Sequence, residues 1–146
     1  MFITAIFTDM RISELRGLTW DCVDFDRRVI KVSMRADEFG AMGAPKSRAG
    51  VRDIPMVQVT LSAWRSEAVE NDLGLVFPNS AGRVQNYSNI YNHVFQPMLV
   101  ENGIVNDSGE AKFGIHALRH AAASLFIEQG WNPKKIQTLL DMPPSP

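Results

Sequence analysis

Cysteine is almost missing from this 146-residue chain: Cys22 stands alone. A disulfide framework and a cysteine-built zinc site are thereby excluded, and a reducing cytoplasm is the natural home of such a sequence. Net charge is almost missing too. Fifteen Lys plus Arg face sixteen Asp plus Glu, a formal net charge of −1. That excludes a uniformly basic nucleic-acid coat and a polybasic membrane anchor. No apolar run approaches the roughly 18 residues that span a bilayer, so no membrane contact is expected. Repeats, linkers and low-complexity stretches are absent. The apolar opening, residues 1–7, lacks the basic region and small-residue cleavage site of a signal peptide, and Asp9 and Arg11 follow it at once. It reads as the end of a buried helix. The last residues, 141–146, stop just after a helical pattern, so the chain reads as one domain, 1–146, incomplete at both ends.

What is present is the balance of a globular domain, 45% hydrophobic and 21% charged. Thr8 or Asp9 is positioned to cap a helix whose apolar face is Ile12, Leu15 and Leu18, with Arg11, Glu14 and Arg16 off that face. Residues 29–34 and 51–56 read as strands flanking a Gly- and Ala-rich loop or wide hairpin at 36–50, and 75–77 as a short third strand. Helical spacing recurs over 61–69, 87–100 and 115–129, with Gly103 and Gly130 as stops, and Asn132-Pro133 opens a last helix. The expectation is an α+β fold, mostly helical, with a small three-stranded antiparallel sheet.

Charge is uneven locally. Between Arg27 and Arg52 seven bases stand against two acids, a patch suited to phosphates or, equally, the wet face of an antiparallel strand. His116-Ala-Leu-Arg119-His120 puts two imidazoles and a guanidinium on one helical face, where they can grip phosphate and move a proton. As a metal site the His pair lacks the intervening Glu and a third ligand, so none is expected. Gly40-Ala-Met-Gly-Ala-Pro-Lys46-Ser47 approaches a phosphate-binding loop, but Pro45 removes a needed N–H and a strand follows it. Lys46 is better read as a point-charge donor on a turn between strands, or simply as a solvated side chain. Arg11 and Glu14, at i and i+3, form a pair that in isolation is surface decoration.

Taken in order, these segments resemble the catalytic domain of the tyrosine recombinases, the phage integrase family. Thr8-Asp-Met-Arg11-Ile-Ser-Glu14-Leu is similar to the first arginine box; Pro45-Lys46-Ser-Arg48 with Arg52-Asp-Ile-Pro55 resembles the β-hairpin lysine region; Leu75-Val-Phe-Pro78 and His116-Ala-Leu-Arg119-His120 resemble the later boxes. The resemblance implies that Arg11 and Arg119 clamp the non-bridging oxygens of a scissile phosphate, that Lys46 protonates the leaving 5′ oxygen, and that His116 moves protons. It implies that Glu14 orients the arginines, with His120 in support. The implied reaction is metal-free phosphoryl transfer on double-stranded DNA through a 3′-phosphotyrosine, with no cofactor, and with self-association on DNA through C-terminal segments.

The sequence departs from the family pattern in four places, one of them Asp141, where the family usually has a glycine. Asp9 replaces the usual glycine of the first box. Met142 stands where the family places a His or Trp donor, and a thioether cannot donate a hydrogen bond. The tyrosines, Tyr87 and Tyr91, both precede the second arginine box, so no nucleophile is expected within this chain. The chain alone is therefore expected to bind without forming a covalent link. The alternative is an inactive integrase remnant acting as a DNA-binding or protein-interaction module.

Overall fold

The computed structural model describes residues 1–56, 64, 69–128, 130 and 132. The chain opens with helices α1 (Phe2–Thr8) and α2 (Ile12–Arg16), then a 3₁₀ turn (Trp20–Cys22) into the strands β1 (Val23–Asp24), β2 (Val29–Val32), β3 (Arg35–Ala36), β4 (Met42–Gly43) and β5 (Arg52–Pro55). After Trp64 and a looped stretch come α3 (Tyr87–Ile90), a π-helical turn (Tyr91–Phe95), α4 (Gln96–Glu101) and α5 (Ala117–Glu128). The widened turn has a local cause. Pro97 has no N–H for the carbonyl of His93, and its ring would strike that oxygen in a regular helix.

β1, β2 and β5 form a three-stranded antiparallel sheet in that order, with Ile30 opposite Val23 on one side and Ile54 on the other. Period-two alternation decides its faces: Ile30, Val32 and Ile54 are buried, whereas Lys31, Asp53 and Pro55 face water. Lys31 is thus the wet face of a strand. β3 and β4 make a separate two-stranded ribbon within the excursion between β2 and β5. The third strand is therefore not 75–77. Leu75 makes only an isolated bridge to Thr19. The Asn71 side chain takes both of its main-chain groups, accepting from the N–H at 2.8 Å and donating to the carbonyl at 2.9 Å.

Two apolar clusters fill the interior. Leu15, Leu18, Ile30, Val32, Ile54, Met56, Trp64 and Val76 pack against the sheet, while Ile90, Phe95, Leu99 and Ile115 pack among the later helices. Met1, Ile12 and Leu118 touch both clusters and join them. Trp64 Nε1 donates to Thr4 Oγ1 at 2.9 Å, tying α1 to this core. Its indole meets Trp20 and Phe77 edge to face.

The start of α2 corrects the expected capping. Thr8 lies inside α1, where its hydroxyl donates to the Thr4 carbonyl at 2.6 Å, and Asp9 ends that helix in a left-handed conformation (φ 53°, ψ 20°). Arg11 is the N-cap of α2. Glu14 and Arg16 do not lie off the buried face: both are buried. Ala117, rather than residue 115, begins α5, so His116 stands in the turn before that helix. Of the expected helix at 61–69, Trp64 is helical and Val69 is not. The other residues of that stretch, the helix expected from residue 133 and Met142 lie outside the described residues.

Candidate functional site

Glu14 is the hub of the candidate site. Its side chain is 2% exposed, and a carboxylate so buried needs cationic or N–H partners to remain charged. Arg52, at the start of β5, supplies the main one. Its Nη1 and Nη2 each donate to a Glu14 carboxylate oxygen at 3.1 Å, a bidentate pair. Arg52 also donates to the carbonyls of Gly50 (3.1 Å) and Asp9 (3.5 Å). Glu14 accepts the Arg11 N–H at 2.9 Å, which closes the first turn of α2. Its contact with the Arg11 guanidinium is longer, 3.5 Å, and that side chain is 57% exposed. The arginine that Glu14 grips most tightly is therefore Arg52, and among the described residues the Arg11 guanidinium makes no other hydrogen bond.

Arg11 and Lys46 come together. Both line a cavity of about 440 Å³, with Glu14, Arg16, Arg35 and Tyr87 also on its walls. Lys46 is exposed, in the segment between β4 and the 3₁₀ turn Arg48–Gly50. Arg16 is buried and donates from Nε to the Gln85 carbonyl at 2.6 Å; burial lowers its pKa, an effect that Asp37 opposes. Burial, and then the neighbouring Tyr91, push the Tyr87 phenol up.

His116 and Arg119 form the second group, lining a much smaller cleft with Met10, Ile12 and Ile115. Arg119 is held by Asp9: Nε donates to Oδ1 at 2.8 Å and Nη2 to Oδ2 at 2.9 Å. That hydrogen bonding raises the Arg119 pKa; burial works against it, and the charges of Asp9 and Glu14 add to it. His116 and His120 are exposed. The two groups are linked through Asp9, whose main-chain oxygen takes Arg52 and whose carboxylate takes Arg119. Among the described residues, no three His, Cys, Asp or Glu side chains gather as a metal site requires. No helix among them is long and apolar enough to cross a membrane.

Arg52 escaped the reading of single motifs because a basic residue at a strand end passes for a solvated one. Its available signal was the pairing with a carboxylate far away in sequence, which only the fold reveals. Gly17 had no signal either: a Cβ there would stand 2.7 Å from the Ala36 nitrogen and 2.9 Å from the Arg35 Cα, so its lack of a side chain lets α2 close on β3.

The sequence profile of the phage integrase family matches residues 1–142. The chain belongs to the phage integrase family. Among curated relatives of this integrase-family chain, the transposase from transposon Tn916 of Enterococcus faecalis is 27% identical over 150 residues, covering 91% of the chain and 36% of the relative. A tyrosine recombinase XerC-like protein of Caldanaerobacter subterraneus is 28% identical over 167 residues, covering 96% and 41%. The chain thus spans well under half the length of these relatives. Among solved structures, the Tn1549 transposon integrase in complex with circular intermediate DNA superposes with a TM-score of 0.72 at 25% identity, covering 98% of this chain and 51% of that one. The XerA recombinase superposes at 0.60 with 20% identity over 94% and 44%, a likeness of fold. The α+β architecture with its small antiparallel sheet is that of integrase catalytic domains.

Proposed function

We propose that this chain is the catalytic-domain portion of a tyrosine recombinase acting on double-stranded DNA by metal-free phosphoryl transfer. The observation that carries the reading is the cavity shared by Arg11 and Lys46, whose backbone frame is set by Glu14 and Arg52. A guanidinium with an open edge and an ammonium lining the same cavity suit the oxygens of a phosphodiester. In this reading Arg11 and Arg119 stabilise the charge that grows on the phosphorane-like transition state, Lys46 gives a proton to the departing 5′ oxygen, and His116 transfers protons beside Arg119. Glu14 is a positioning residue, acting through Arg11 and Arg52, and His120 supports from the same turn of helix. The Tn1549 integrase, solved with DNA, supports double-stranded DNA as the partner.

Neither tyrosine of the chain is the attacking group in this reading. Both precede Arg119 in the sequence, whereas the family resemblance places the nucleophile after the second arginine box. In this reading the chain by itself holds DNA without cleaving it.

Binding of a labelled duplex across a salt series tests the proposal. Affinity should fall steeply with salt, with a log–log slope of roughly −0.9 for each phosphate neutralised. Arg11→Ala and Lys46→Ala should each weaken binding by about tenfold and flatten the slope by about one unit. Arg83→Ala, at an exposed position in the loop before α3, should change little. A flat salt response, or an equal loss at all three positions, would overturn the proposal in favour of a protein-interaction module.

A further inference from the structure

We infer that Asp9 is an anion supplied by the chain itself that neutralises Arg119 and thereby sets how strongly the site takes a DNA phosphate. The inference rests on the proposed function, and three observations carry it. First, the pairing is bidentate and short, 2.8 and 2.9 Å, with the Asp9 side chain 9% exposed and Arg119 28%. Second, Asp9 occupies a left-handed backbone conformation (φ 53°), which a glycine adopts without the penalty that a Cβ brings. An aspartate, one of the few other residues that adopts this conformation, puts a carboxylate at this turn. Third, the Asp9 carboxylate accepts no other side chain's hydrogen bond among the described residues; Arg52 reaches only its main-chain oxygen.

The geometry divides the guanidinium. Asp9 takes the side edge, Nε and one hydrogen of Nη2, and Nη1 makes no hydrogen bond among the described residues. A phosphate can still approach the remaining edge, Nη1 with the second hydrogen of Nη2. It then meets a cation already paired with a carboxylate, and lies within a few ångströms of that negative charge. Asp9 thus keeps the guanidinium oriented while cancelling most of its attraction for a second anion.

Removing the charge should strengthen DNA binding through Arg119 alone. The test titrates the full chain with a labelled duplex at several salt concentrations, comparing wild type with Asp9→Asn, Asp9→Gly and the double variant Asp9→Asn/Arg119→Ala, which leaves no buried charge unpaired. Asp9→Asn keeps the side-chain shape and Asp9→Gly suits the backbone, so the test does not depend on one substitution; thermal melting confirms that each is folded. The expected result is binding about tenfold tighter for both single variants, the effect of one like charge removed at a few ångströms across a partly solvated gap. The salt slope should steepen by about one unit. Both gains should vanish in the double variant. Unchanged or weaker binding by both single variants would overturn the inference, leaving Asp9 a positioning residue only. In that case a salt-dependent loss on Arg11→Ala would show that the proposed function itself still stands.

Discussion

Arg52→Ala is expected to lower the unfolding free energy by about 3–5 kcal/mol, the usual penalty for stripping the partner from a buried charge. Glu14 is 2% exposed and Arg52 only 12%, so water cannot replace the two 3.1 Å hydrogen bonds. The loss is not confined to one pair. The same guanidinium satisfies the Gly50 carbonyl and reaches that of Asp9, joining the β5 end of the lysine-bearing excursion to the connection between α1 and α2. Urea unfolding followed by tryptophan fluorescence would measure the change. The double variant Arg52→Ala/Glu14→Gln should recover part of the stability, because no carboxylate is then left charged and buried. A single-variant loss below about 1 kcal/mol would mean that the pair behaves as an exposed one.

Gly17→Ala should cost about 2–3 kcal/mol, at the upper end of what overpacking brings. The three atoms nearest the added methyl, each within 3 Å, belong to the backbone of Arg35 and Ala36, so the clash is not relieved by a side chain swinging aside. Ala36 is completely buried, which leaves α2 or β3 to move. The helical gain of alanine over glycine, about 1 kcal/mol within a helix, is not available here, because Gly17 lies just past the end of α2. A shift between α2 and β3 also separates Arg11 from the segment carrying Lys46, so DNA binding should weaken with stability. A melting temperature unchanged within about 2 °C would contradict this account.

Much of the architecture was legible in the residue pattern, for reasons of period. The strands read at 29–34 and 51–56 contain β2 and β5, each shorter than expected, and the i, i+3, i+4 spacing of Ile90, Val94, Phe95, Met98 and Leu99 marks the helix that runs through the π turn. Of the four residues expected to share one pocket, Arg11 and Lys46 line one cavity, whereas His116 and Arg119 line a separate cleft. Three features were not legible. The strand expected at 75–77 failed because a single asparagine side chain satisfied the backbone groups that a sheet partner would have used. Glu14 and Arg16 seemed exposed because a five-residue helix buried on several sides has no wet face to infer from periodicity. The grip of Asp9 on Arg119 spans 110 positions in sequence, so no local pattern encodes it.

The cap of α2 divides two roles between two arginines: Arg52 balances the Glu14 charge, and Arg11 closes the helix with its main chain. Glu14 holds Arg11 chiefly by its main-chain N–H, a group every amino acid except proline carries. The side chain at position 11 is therefore nearly invisible to folding, while the one at position 52 is not. Loss of the guanidinium at 11 would therefore leave the fold intact while weakening the proposed grip on a phosphate.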